Sequence, residues 1–357
     1  MKIHVSAAKL AALAGAAAVG GFVYLVAPGS IRKKQRAPFQ NRNFAHRGLH
    51  KRDKSVPENS LAAFERAASY GYGIELDVQL SKDGRVVVFH DDTLNRVCGV
   101  DARVDSKTFD ELRQLRLCGT DETIPLFSEV LKTVRGRGAL IVELKNGKRN
   151  RELCEKTYAM LRQYTGDYCI ESFNPFIVRW FRLNAPEVVR GQLANPPKDY
   201  NGEVSPVSAF LLGNVLLNFL ARPQFIAYKI APKPFSVKFC EALGAMKVCW
   251  TSHEWAKRAT TRSFSSSTSP GLSSPGSGSC SEQPADSQQS QKPKGKNEMH
   301  PVCWYRVFYR TCLTNGVHFK SGLRFLLFFR GAALIRCQGF EHGHGLGIVF
   351  GNAELPG

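Results

Sequence analysis

The chain has 357 residues, 43% hydrophobic and 22% charged, a balance that excludes a wholly disordered protein and allows a sizeable core. Lys and Arg number 49 against 30 Asp and Glu, for a formal net charge of +19. The positive residues are spread out, with no interleaved aromatic stripe and no nucleic-acid motif, so the excess suits an anionic membrane surface or an anionic substrate, not nucleic acid.

In chain order, residues 10–27 come first, uncharged and rich in Ala, Gly, Val and Leu. Their length is at the low end for a spanning helix and long for the core of a secretory signal. Arg32, Lys33, Lys34 and Arg36 follow closely. Positives kept on that flank favour an uncleaved anchor over residues 1–28 with the main domain on the cytoplasmic side, although Lys2 and Lys9 oppose that orientation; a cleaved signal is the alternative. Residues 29–43 read as a basic linker.

From residue 44 to 255, short apolar runs alternate with helical spacing. Strands are predicted at 44–47, 74–78, 86–90, 140–144, 169–173, 189–193, 225–228 and 247–251. Apolar residues three and four apart predict helices at 126–134, 152–164 and 176–183, and another containing Leu61, Phe64 and Ala68, capped by Asn59 or Ser60. This alternation points to an α/β barrel or a doubly wound sheet, and no GxGxxG follows the first strand to support a dinucleotide-binding version. Residues 205–222 are helical and largely apolar but too interrupted to span a bilayer; they cover the barrel mouth, touch a membrane surface or pack into the core.

Residues 256–299 read as a low-complexity linker, and 300–357 as a poorly ordered tail without clean periodicity. His342 and His344 lack companion ligands and are not read as a metal site. None of the ten cysteines forms a CxxC pair. Cys98, Cys118, Cys154, Cys169, Cys240 and Cys249 fall in apolar or helical stretches, the pattern of buried free thiols rather than a zinc site.

Chemistry concentrates at the ends of the predicted strands. Glu75 and Asp77 are two apart on one strand, so their carboxylates share a face, and like charges held together call for a cation or a proton. With Glu143 they offer three hard oxygen ligands, suited to Ca²⁺ or Mg²⁺. Arg47 and Lys145 suit phosphate oxygens, and His46 and His90 are proton carriers near neutral pH. Taken singly, each has an ordinary structural explanation: a solvated carboxylate, a strand-end histidine, a Glu143–Lys145 ion pair. Together, in this order on successive strand ends, they read as a phosphodiester-cleaving site.

The runs Ala45-His46-Arg47-Gly48, Pro57-Glu58-Asn59-Ser60, Glu75-Leu76-Asp77-Val78, Val88-Phe89-His90-Asp91 with Leu94 and Arg96, and Val142-Glu143-Leu144-Lys145 resemble the glycerophosphodiester phosphodiesterase family over residues 44–251. The resemblance implies a TIM (β/α)8-type barrel with a small insertion at 92–117 over its mouth. It implies one divalent cation, Ca²⁺ or Mg²⁺, on Glu75, Asp77 and Glu143, and acid and base roles for His46 and His90. It places Arg47, Lys145, Glu58, Asn59, Phe173 and Trp250 about the substrate, a glycerophosphodiester split into glycerol 3-phosphate and an alcohol. Alternatives are a lysophospholipase D working on membrane lysolipids, or an inactive membrane-bound barrel. Such proteins close the barrel with a short apolar strand after the Trp-Thr strand; here low-complexity sequence intervenes, and residues 346–350 are the nearest, imperfect candidate.

Overall fold

The structure, a computed structural model, describes residues 6–252, 304–308, 327–328, 334–336 and 349–350. The low-complexity residues 262–297 and the pair His342 and His344 lie outside them. The chain divides into two units, Met1–Tyr309 and Arg310–Gly357.

The first unit is built on β1 (Asn43–His46), β2 (Gly73–Leu80), β3 (Val86–Val88), β4 (Leu140–Leu144), β5 (Tyr168–Ser172), β6 (Val189–Ala194), β7 (Phe225–Lys229), β8 (Met246–Ser252) and β9 (Trp304–Phe308). Strands β1, β2, β4, β5, β6, β7 and β8 pair in parallel, and β1 also pairs with β2. Strand β9 lies antiparallel between β8 and β1 and completes the ring. The result is an eight-stranded barrel whose eighth strand is reversed relative to a TIM barrel.

Two details differ from the sequence reading. The run at 86–90 is no barrel strand: β3 folds back antiparallel on β2 as a hairpin arm. The eighth position is filled by residues 304–308, not 346–350; Val349–Phe350 pairs instead with Leu334–Arg336 in the second unit, beside Leu327–Phe328.

All eight residues of β2 are buried, and their alternation sorts them into two environments. Ile74, Leu76, Val78 and Leu80 join the layer between sheet and helices, with Phe64, Val130 and Phe181. Glu75, Asp77 and Gln79 take the other face, the barrel interior. Lower in that interior Phe44, Ile141, Cys169, Phe225 and Met246 form an apolar plug with Phe39. The insertion has its own small core, including Leu94, Val97, Val104, Leu112 and Leu117. The six cysteines at 98, 118, 154, 169, 240 and 249 are free thiols, and burial pushes the Cys154 and Cys240 thiols up to about 12.

The segment 205–222 forms two helices, Pro206–Gly213 and Asn218–Ala221. Among the described residues one helix, Ala7–Val26, is long and apolar enough to cross a membrane. Its last turns rest on the barrel: Asn218 Nδ2 donates to Val26 O at 3.1 Å, and the Arg222 guanidinium donates to Tyr24 O and Ala27 O at 2.8 and 2.9 Å.

Candidate active site

The turn after β1 explains why His46, Arg47 and Gly48 come together. Arg47 has φ +56° and Gly48 φ +79°, so the chain reverses through two left-handed residues. A Cβ on Gly48 would lie 2.8 Å from the Ala63 Cβ; only glycine fits. The tight turn aims the Arg47 N–H at Glu75 Oε2, 3.0 Å away. Asn59, also left-handed, donates its backbone N–H to Arg47 O at 2.9 Å and its side-chain N–H to Asp77 Oδ2 at 2.9 Å. Ser60, not Asn59, caps the helix Leu61–Ser69, accepting from Ala63 N at 3.1 Å.

Glu75, Asp77 and Glu143 converge. Each is buried, and one oxygen of each lies within 4.8 Å of the others. The pairing register, with Asp77 opposite Glu143 on adjacent strands, produces this. Glu75 Oε1 and Asp77 Oδ1 are buried without a hydrogen-bond partner, a costly arrangement for a carboxylate and one that a hard cation relieves. Burial raises the Glu75 carboxyl well above its ordinary value, and Asp77, Glu143 and Glu171 raise it further. Burial likewise raises Glu143, against the pull of Lys145. Asp77 goes the other way: burial would raise it, but His90, Lys145 and Arg47 outweigh that and hold it low.

Lys145 donates to Glu143 Oε1 at 2.8 Å and stands 3.5 Å from Asp77 Oδ1. His46 Nε2 is 3.8 Å from Glu75 Oε2, and burial, reinforced by Arg47, lowers its pKa well below that of an ordinary imidazole. His90 sits past β3, on a loop fastened to β2 by Gln79, whose amide donates to Phe89 O at 2.8 Å and Asp91 O at 2.9 Å.

Sequence reasoning gave Arg96 no role, yet it joins the two halves of the site. Its guanidinium donates to both oxygens of Glu58 at 2.6 and 2.9 Å, and to both of Asp91 at 2.6 and 3.0 Å. Glu58 in turn accepts from Arg47 at 2.8 Å. Burial would raise the Glu58 carboxyl, but Arg96 and Arg47 hold it at about 2. Arg96 comes from the helix Asn95–Cys98 in the insertion, so this network fixes the insertion to the barrel mouth. Glu171, buried on β5 opposite Glu143, is a fourth interior acid that motif reading overlooked. Its signal was position: like Glu75 and Asp77, it is a charged residue inside an otherwise apolar strand.

Phe173 and Trp250 stack edge-to-face on each other, centroids 5.7 Å apart, with Trp250 Nε1 donating to Ala227 O at 3.0 Å. They pack on the apolar plug from the ends of β5 and β8, whereas the acid trio comes from β2 and β4.

The model of the glycerophosphoryl diester phosphodiesterase family matches residues 46–265, more than half the chain. The chain belongs to that family. A glycerophosphodiester phosphodiesterase of Caldanaerobacter subterraneus is 36% identical over 162 residues, 42% of this chain and 65% of the relative. The lysophospholipase D GDPD1 of Rattus norvegicus is 29% identical over 163 residues, 42% of this chain and 50% of the relative. The chain thus spans less than two thirds of these curated relatives. A crystal structure of a glycerophosphodiester phosphodiesterase from Parabacteroides distasonis is similar at a TM-score of 0.47 and 28% identity, covering 60% of this chain and 86% of that one. Within the family chain, the matched residues begin at His46 and include the acid trio, His90 and Lys145.

Proposed function

We propose that this chain is a metal-dependent glycerophosphodiester phosphodiesterase, releasing glycerol 3-phosphate and an alcohol. The observation that carries the reading is the buried trio Glu75, Asp77 and Glu143, with two carboxylate oxygens lacking hydrogen bonds, in a member of this family. These hard oxygen donors fit one divalent cation, Ca²⁺ or Mg²⁺, which when bound supplies Lewis-acid stabilisation of the phosphate charge.

The chain's own side chains do the rest. Arg47 and Lys145 balance the phosphate oxygens, with Lys145 held at the site by its hydrogen bond to Glu143, which with Glu75 and Asp77 would hold the cation. His46, kept neutral by burial and Arg47, accepts the proton of the attacking hydroxyl, either the substrate's own 2-hydroxyl or water. A new phosphorus–oxygen bond forms as the bond to the alcohol breaks, and His90 gives a proton to the departing oxygen; where the 2-hydroxyl attacks, water then opens the resulting cyclic phosphate, its proton passing to His90 while His46 protonates the freed 2-oxygen. Asp91 on His90 Nδ1 fixes which nitrogen transfers it. Glu58 and Asn59 hold Arg47 and Asp77 in place, and Phe173 and Trp250 wall the interior where the glycerol or alcohol end rests.

A second reading, a lysophospholipase D, is favoured by the rat relative so named and by the apolar helix Ala7–Val26. We read that helix as a membrane anchor, with Arg32, Lys33, Lys34 and Arg36 favouring a cytoplasmic barrel. The inactive-barrel alternative requires a barrel left unclosed after the Trp-Thr strand, and β9, paired with both β8 and β1, speaks against it. The deciding experiment is turnover of glycerophosphocholine and of lysophosphatidylcholine by the purified protein, with and without chelator. His46→Ala should lose nearly all of it with an unchanged melt; a variant that kept most activity would overturn the assignment.

A further inference from the structure

The position of the N-terminal helix relative to the mouth carries a further conclusion, which rests on reading that helix as a membrane anchor. Its C-terminal end lies low on the barrel, where Gly29 N donates to Pro223 O just before β7. Going back along the helix, Phe22 stacks on Phe235 and Phe239, centroids 6.0 and 5.7 Å away. Ala18 shares an apolar groove of about 540 Å³ with Phe210, Leu216 and Phe235. Phe235 begins the helix that follows β7, and Phe210 lies in the segment after β6, so both belong to the rim where the strands end. The helix therefore climbs the barrel wall toward the mouth. Residues 7–21 are all exposed, about 22 Å of helix at 1.5 Å per residue.

The rim beside it is apolar as well. Phe176, Val207, Phe210, Ile230 and Phe235 are 55–70% exposed, and every one follows the C-terminal end of β5, β6 or β7. Tyr70, Leu183 and Leu243, exposed at the far ends of their helices, form no such group. Lys148 and Lys198 follow β4 and β6 at the same end, together with Asp199, which pairs with Lys229, and Glu203. A surface that joins aromatic and aliphatic side chains to basic ones, continuous with a long exposed apolar helix, is complementary to a phospholipid interface.

We propose that the catalytic mouth docks on the bilayer through this β5–β7 rim, so that the site opens toward the lipid rather than toward bulk solvent. The acids of β2 and β4 then lie on one side of the mouth, and the Phe173–Trp250 pair on the side of the apolar rim. A phosphodiester with an acyl chain would enter with its phosphate toward the acids and its chain leaving over the rim.

The test uses the full chain in vesicles of phosphatidylcholine and phosphatidylserine containing a diazirine-bearing phosphatidylcholine. After photolysis, lipid adducts are expected in residues 7–21 and also in 206–213 and 230–236. Adducts in 7–21 alone would overturn the docking and leave the anchor standing. Adducts in neither would overturn both. A Val207→Ser, Phe210→Ser, Ile230→Ser triple variant should lose the rim adducts. It should cleave vesicle-borne lysophosphatidylcholine about tenfold more slowly while soluble glycerophosphocholine is turned over as before. A variant that matched wild type on both substrates, or slowed equally on both, would contradict the docking. A wild type that cleaves neither substrate would sink the catalytic reading while the adduct pattern still decided the docking.

Discussion

Asp91 Oδ1 lies 2.6 Å from His90 Nδ1, and the same carboxylate accepts two hydrogen bonds from Arg96. The imidazole is thus held from behind by a carboxylate that is itself held. Asp91→Asn keeps the shape and removes the charge. Turnover should fall about 100-fold, the range for losing a well-oriented acid or base, with KM little changed. Because Asp91 acts through His90, the Asp91→Asn, His90→Ala double variant should be scarcely worse than His90→Ala alone. Additive losses would show that Asp91 has a separate task.

Glu75 and Glu143 both carry raised pKa values through burial, and a cation must take the place of any proton they hold. Metal binding should therefore release protons and strengthen as pH rises; calorimetry in buffers of different ionisation enthalpy reads both. Saturation at a hundred times Kd should stabilise the fold by about 2.7 kcal/mol. Glu75→Gln removes one of the repelling charges, so the metal-free variant should melt no lower than wild type while the metal-induced rise in Tm disappears.

Glu58 titrates at about 2, below the ordinary glutamate value of 4.5. A carboxyl whose folded pKa is depressed stabilises the fold fully above the unfolded value and loses that contribution as pH falls toward the folded one. The difference amounts to about 3 kcal/mol at 1.36 kcal/mol per unit, shared with Arg47 and Arg96. Denaturant midpoints measured between pH 6 and pH 3 should fall more steeply for wild type than for Glu58→Gln, and Arg96→Ala should flatten the same slope.

Gly48→Ala places a methyl at 2.8 Å from the Ala63 Cβ, in a residue at φ +79°. The strain should cost about 1–3 kcal/mol. It should also displace the Arg47 N–H from Glu75, so activity should fall by more than the loss of folded protein explains. A denaturant melt compared with turnover per folded molecule separates the two effects.

The part of the site legible in the sequence was the part fixed by period two. Glu75 and Asp77 had to share a face, and charged residues in strands otherwise made of Ile, Leu and Val had to have a reason for being inside. The seven parallel strands followed from the same alternation. Arg96 and Gln79 were illegible as to role because their partners, Glu58, Asp91 and the Phe89 carbonyl, are brought to them by loops whose course no periodicity encodes. Asn59 looked like a cap because Asn favours caps, and the left-handed turn sent its amide to Asp77 instead. The reversed strand was missed for a related reason. Five residues within a Cys-, Phe- and Arg-rich stretch carry too little pattern to be told from their surroundings, and an antiparallel partner breaks the βα rhythm that located the others.

That reversed strand makes the last prediction. In a barrel of parallel strands each edge is satisfied by its neighbours, and removing one leaves two rows of unpaired N–H and C=O groups. Here those rows belong to β1, which ends in His46, and β8, which contains Trp250. A chain ending at residue 303 should therefore lose both stability and the placement of His46, although every proposed catalytic side chain is still present. Its hydrogen exchange should show amides of 43–46 and 246–252 opening first, with self-association rising with concentration as the bare edges pair between copies. Pro at Val307, opposite Val248 in the ladder, should produce a milder form of the same defect by deleting one donor. If the shortened chain instead stayed monomeric and turned over substrate at the wild-type rate, β9 would not be what closes this barrel in solution.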